Sequence, residues 1–196
     1  PPAVPPPPAP DISRCRKLVL AGALLLLYSG LATWGQFDFS DLMGYYNLLA
    51  DGFLAGHLHV GPTPDQGPLQ DMIPYRGHYY VQWGPFPAVL HMAAKLFGGR
   101  LSDRVACLLA GWLASLVFLE ICLYLRRRFF PLLSACVPVW FFFAFALATP
   151  TAIVSLRGTD YHETIAVAAL GVMAAFWAWL RYTAAPGPLL RWPSPA

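Results

Sequence analysis

Two short polar stretches hold the residues best able to do chemistry. One carries Asp38 and Asp41, just past an apolar run that ends at Trp34; the other is Arg157-Gly-Thr-Asp160-Tyr-His162-Glu163, between two further apolar runs. A carboxylate such as Asp41 can take a proton from a hydroxyl. It also stands where a helix would begin, and a helix N-terminus favours an acidic side chain without any catalysis. Asp160 and His162, one residue apart, could hold a divalent cation (Mg2+ or Mn2+) together with Asp41, and Arg157 could meet a phosphate. The plainer alternative makes Thr159 or Asp160 the N-cap of the following helix, with Glu163 in its first turn. Cap and site are compatible.

Other candidates carry less chemistry. Arg76 and His78 flank Gly77 and could touch a donor phosphate, though a tight turn explains them equally. His57 and His59 could be metal ligands or a solvated turn after Gly56. Tyr79, Tyr80 and Trp83 could stack on a sugar, or could be the aromatic belt of a membrane interface. Glu120 lies within an apolar run, where an acid is costly, and Arg126 is expected to neutralise it. Cys107, Cys122 and Cys136 sit in apolar runs and Cys15 in the N-terminal tail, a pattern of packing residues rather than disulfides or a zinc site. No phosphate-cradling Walker loop or GxSxG motif occurs.

The elements that must position these groups follow from composition. The chain is 57% hydrophobic and only 12% charged, with a mean hydropathy of +0.51. Apolar runs at Leu18–Trp34, Val105–Leu125, Pro131–Leu156 and Thr164–Leu180 approach or exceed the roughly 20 helical residues that cross a hydrocarbon core. The expected class is an all-α membrane protein, with about four transmembrane helices and interfacial helices in a long first loop. Basic residues lie at helix ends rather than in a stripe, so the formal charge of +3 points to no nucleic-acid partner.

Residues 1–16 read as a disordered, proline-rich cytoplasmic tail and 17–183 as the membrane-embedded unit, with its external loop at 36–104. Residues 184–196 read as a proline-rich linker or a truncated end. Arg14, Arg16 and Lys17 hold the tail in the cytoplasm, and Arg126–Arg128 sets the end of the second span on the same side. Within the loop, Asp41–Ala55 has helical spacing with Ser40 as N-cap, Gly61–Pro68 is turn chemistry, and Tyr79–Trp83 is a short extended piece. Pro85–Phe97 is too short to span; it is expected to lie flat, with Val89, Met92, Ala93 and Leu96 toward lipid and Lys95 toward the headgroups. Both acid-bearing loops then face the external side, where Asp41 and the Asp160–His162 loop are expected to meet.

This order of features resembles a known family. One span leads to Asp41-Leu-Met-Gly-Tyr45 at the head of a long external loop. Gly84-Pro-Phe-Pro87 then precedes a short amphipathic helix, and Arg104, Leu125-Arg-Arg-Arg and a second external acid at Asp160 follow. Residues 18–182 are similar to the N-terminal part of the GT-C membrane glycosyltransferases, in particular the bacterial relatives of protein O-mannosyltransferases and aminoarabinose transferases (glycosyltransferase family 39-like).

The resemblance implies a sugar donor linked to polyprenyl phosphate, an extracytoplasmic acceptor (lipid, glycan or protein) and transfer with inversion, in a bacterial inner membrane with the active site on the external face. It implies that Asp41 is the first-loop catalytic acid, and that Asp160 and His162 are the metal-binding acidic motif of the second loop. Mannosyltransferase-like members often carry Asp-Glu in the first loop; here Leu42 follows Asp41. Two other readings are a transporter subunit, which calls for acids deep in several spans, and a non-catalytic polytopic protein, indifferent to Asp41.

Overall fold

The computed structural model describes residues 10–41, 44–60 and 72–184, the side chains of Asp160 and Ala184 excepted. The proline run at 1–9, Leu42, the turn at 61–68 and the segment 185–196 lie outside the described residues. Among the described residues, seven helices and one hairpin follow in order: α1 (Arg14–Ala32), α2 (Tyr45–Leu54), β1 (Met72–Tyr75), β2 (His78–Val81), α3 (Phe86–Leu96), α4 (Asp103–Phe129), α5 (Cys136–Ala148), α6 (Pro150–Leu156) and α7 (Asp160–Ala184). Three of them, Arg14–Ala32, Asp103–Phe129 and the stretch Tyr161–Thr183 of α7, are long and apolar enough to cross a membrane; the number is four if α5 and α6 count as one span.

The long helices form where apolar runs meet good caps. The Ser13 hydroxyl accepts from the Arg16 amide at 3.3 Å at the head of α1, and the Ser102 hydroxyl accepts from the Val105 amide at 3.2 Å at the head of α4. Asp103 in the first turn of α4 and Arg126–Arg128 in its last complement the helix dipole. The sequence predicts one span over Pro131–Leu156. The helix instead begins at Cys136 and breaks between Ala148 and Pro150 with a 56° bend. Pro150 has no amide hydrogen to donate and crowds the residue before it, so Thr149 turns extended, with ψ 165°.

Helix α4 is the hub, packing against α1, α5, α6 and α7. Its Trp112 indole donates to the Ala21 carbonyl of α1 at 2.9 Å, and the Tyr28 hydroxyl of α1 donates to the Ala146 carbonyl of α5 at 2.6 Å. Leu24, Tyr28, Leu108, Leu119, Leu123 and Phe142 make the shared core. Outward, Leu18, Leu26, Trp140, Val172 and Trp179 stay exposed, an apolar surface suited to hydrocarbon rather than water. Glu120 departs from expectation. Its partner is Lys17 of α1 at 2.5 Å, while Arg126 turns to Asp11 at 3.6 Å and to the Leu133 carbonyl at 2.6 Å.

At the opposite end from Arg126, a small polar subdomain covers the helix ends. Helix α2 starts at Tyr45 rather than Asp41, with Gly44 before it at φ 74°. Ser40 caps nothing in α2; its amide and hydroxyl both turn back to Asp38 at 3.0 Å. The Ser40 amide, then the Ser40 hydroxyl, outweigh a small burial effect and, with Arg104, hold the Asp38 carboxyl below its ordinary value. The extended piece predicted at Tyr79–Trp83 is strand β2, paired antiparallel with β1, and Arg76-Gly77 makes the turn with φ 50° and 80°. Two successive positive φ angles match the strand twist in a two-residue hairpin.

Tyr46, Leu49, Val60 and Ala88 tie α2, the hairpin and α3 into one cluster. Helix α3 has 11 residues, too few to cross. Val89 and Leu96 are exposed and His91 is buried. Lys95 does not extend outward; it pairs with Asp51 at 2.5 Å and donates to the Asn47 carbonyl at 2.9 Å. An acid one helix away outcompetes the headgroup position expected from the sequence.

Candidate functional site

Asp41 lies at the head of α4, not α2. Its Oδ1 accepts from the Asp103 amide at 3.1 Å, its Oδ2 meets Arg100 at 2.7 Å, and Asn47 donates to Oδ2 at 3.2 Å. Asp103 reciprocates, because its Oδ2 accepts from the Gly44 amide at 2.8 Å beside the start of α2. Asp41 thus satisfies an amide at the start of α4, and Asp103 one at the start of α2. Asn47 adds a bond to the Leu101 carbonyl at 2.8 Å, so the loop before α4 cannot drift from α2. Asp41 is held by several donors, yet Arg100 is 68% exposed and able to swing away.

The second polar stretch joins the same place. His91 Nε2 of α3 lies 2.9 Å from Glu163 Oε1 in the first turn of α7, and both side chains are 0% exposed. One ligand atom each from His91, Asp103 and Glu163 lies within 4.8 Å of the others. Two further contacts weld the loops: the hydroxyls of Tyr46 and Thr164 hydrogen-bond, and the Trp83 and Tyr161 rings meet edge to face at 4.9 Å; the Cys107 thiol of α4 also points to the Thr159 carbonyl at 3.9 Å.

Gly158 permits this approach. A β-carbon there would sit 2.5 Å from the Arg104 α-carbon, and backbone cannot yield as a flexible side chain can. Gly158→Val is therefore expected to lower stability by about 1–3 kcal/mol, the range for overpacking. Unfolding in detergent measures it, and an unchanged midpoint would contradict the contact.

The remaining sequence candidates separate into two groups. His162 Nδ1 bonds to the Thr159 hydroxyl at 2.5 Å, with the exposed Arg157 close enough for its charge to act on the ring. Asp160 opens α7, with its side chain outside those described. The ligand set Asp41, Asp160 and His162 therefore includes an undescribed side chain. Among the described residues, the group able to hold a cation is His91, Asp103 and Glu163. Arg76 and His78 lie on the hairpin turn instead. Arg76 covers the Tyr75 ring at 5.2 Å, and His78 stacks on His59 at 3.9 Å, which stacks on His57 at 5.0 Å.

Sequence reading missed Asp103 and His91. Asp103 looks like an ordinary first-turn acid after Ser102, and His91 like one polar residue in a flat helix. Their partners lie 59 to 72 residues away. The available signal for His91 was its place on the amphipathic helix, opposite the exposed Val89 and Leu96.

Beside the acids runs an apolar cavity of about 510 Å3, walled by Phe53, Pro85, Pro87, Val89, Thr164 and Val167. Thr164 follows Glu163 in the chain, and Pro87 precedes His91 by four residues, so the groove passes within about a helical turn of the buried pair. The arrangement combines acid–base groups, an exposed guanidinium and an apolar trough. Compared with protein-family models, curated proteins and solved structures, the chain matches none.

Proposed function

We propose that the chain belongs to an integral-membrane glycosyltransferase that moves a sugar from a polyprenyl-phosphate carrier to an extracytoplasmic acceptor, in the manner of GT-C enzymes. The observation that carries this reading is the joining of the first loop to residues 157–163 through His91 and Glu163, next to an apolar groove at the ends of membrane-length helices. A lipid-linked donor needs this pairing: its tail stays in an apolar trough while its phosphate reaches polar groups. In this reading the end faces outward from a bacterial inner membrane, in keeping with the basic residues Arg126–Arg128 at the opposite end of α4.

In this mechanism the acceptor hydroxyl approaches Asp41 as Arg100 moves aside. Asp41 takes the proton as the acceptor oxygen bonds to the anomeric carbon. The bond from that carbon to the phosphate oxygen breaks on the opposite face, which inverts the configuration, and the electron pair leaves on the polyprenyl phosphate. Arg157, exposed beside the second loop, stabilises the departing phosphate. Trp83 and Tyr161, packed edge to face, would give the sugar an aromatic surface in this reading. Arg76 and His78, on the hairpin turn, would meet a donor phosphate only if it reached that far. A bound divalent cation would offset phosphate charge.

A transporter calls for acids along a path through the spans. Of the described acids, Glu120 lies deep in a helix and is paired with Lys17, which favours transfer over transport.

A photoreactive polyprenyl-phosphate sugar added to the full-length protein should label the groove wall at 84–89 or 164–171. Ala168→Trp, which fills the trough, should cut that labelling several-fold. Labelling spread evenly over the exposed faces of α1 and α5 would contradict the reading.

A further inference from the structure

We infer that His91, Asp103 and Glu163 form a site for a divalent transition-metal cation, Mn2+ or Zn2+ in preference to Mg2+. The three come from α3, the first turn of α4 and the first turn of α7, and all are fully buried. Their ligand atoms fall within 4.8 Å of one another. Ligands about 2.0–2.2 Å from a common ion lie some 3–4 Å apart, so a small rotamer adjustment closes the set.

A plain His91–Glu163 hydrogen bond leaves the site unexplained. It uses His91 Nε2 and Glu163 Oε1, while His91 Nδ1 and Glu163 Oε2 are buried without a hydrogen-bond partner. Buried polar atoms are rarely left so. Two carboxylates, those of Asp103 and Glu163, are buried side by side with the His91 imidazole. A divalent ion between the buried groups would balance the charge and occupy open lone pairs. The Gly44 amide already fixes the Asp103 carboxylate at 2.8 Å, as an orienting partner does behind a metal ligand.

Ligand type selects the metal. An imidazole with two carboxylates suits Mn2+ or Zn2+, whereas Mg2+ prefers an all-oxygen shell with retained waters. Three protein ligands leave positions for water or a phosphate oxygen. The site stands whether or not the chain transfers sugar, because its test needs no substrate: failed metal binding leaves the transfer reading intact, and failed transfer leaves this site intact.

The test uses the full-length protein in detergent, stripped with chelator, with His57, His59 and His78 changed to alanine so that these stacked rings bind nothing. Titration with Mn2+, followed by electron paramagnetic resonance, should show one ion per chain with nitrogen coupling from one imidazole. Histidine labelled with 15N reads the same coupling without touching the site. Glu163→Gln keeps an acceptor for His91 and should weaken binding at least about 100-fold, the upper scale for losing even an orienting partner. His91→Gln should abolish the nitrogen coupling. Zn2+ should displace Mn2+, and equal Mg2+ should not. Absence of a bound ion, nitrogen coupling that survives His91→Gln, or displacement by equal Mg2+ would each overturn the assignment.

Discussion

His91→Leu alone is expected to cost about 3–5 kcal/mol of stability, because it strands Glu163 without its partner in a site closed to water. Glu163→Leu alone should cost a similar amount by stranding His91. The double variant should recover most of the loss, since replacing both halves of a buried pair by apolar groups of similar volume is often neutral. The pair is 2.9 Å apart with neither side chain exposed, so solvent cannot screen the effect. Denaturant titration of all three variants in one detergent measures it. A double variant as unstable as the sum of the singles would mean that the two residues act independently.

Asp41→Asn should lower sugar transfer by about 100-fold or more, the scale of a lost general base. Folding should change little. An asparagine carbonyl can still accept from the Asp103 amide, which now bonds at 3.1 Å. The lost ion pair is to Arg100, whose side chain is 68% exposed, and such pairs contribute little. Arg157→Ala should separate from this behaviour by raising the KM for donor more than it lowers kcat, because it removes a phosphate partner and not the base. Size exclusion and thermal unfolding guard against a folding artefact. Near-normal turnover by Asp41→Asn would end the catalytic assignment.

The long helices were legible because composition leaves few alternatives. Runs such as Val105–Leu125 can bury their backbone in lipid only as helix, and the observed α4 extends that run to Asp103 and Phe129. The bend in the third run was not read from the sequence, because a proline such as Pro150 can also be absorbed at a helix start. The hairpin was half legible: the aromatic strand showed, while its partner Met72–Tyr75, rich in neither β-branched nor alternating residues, did not.

Pairings over long sequence distance were not legible. Spacing says that Asp41 stands near a helix start, but not that the helix is α4, 62 residues on. Lys95 and Glu120 each found a partner on another helix, Asp51 and Lys17 respectively. Ion pairs follow tertiary proximity, which one-dimensional pattern does not contain. The meeting of the two loops was expected from sidedness. Its agents were not, since His91 and Asp103 look ordinary until α3 and α7 are packed together.

The most direct measurement is transfer itself. Purified full-length protein, reconstituted in vesicles with radiolabelled polyprenyl-phosphate sugar and a set of cell-envelope lipid and glycan acceptors, should move label from carrier to acceptor, and the product should have the opposite anomeric configuration to the donor. Asp41→Asn protein in the same vesicles should leave nearly all of the label on the carrier. Label that stays on the carrier with the wild-type protein, while the vesicles retain folded protein and intact donor, would contradict the account.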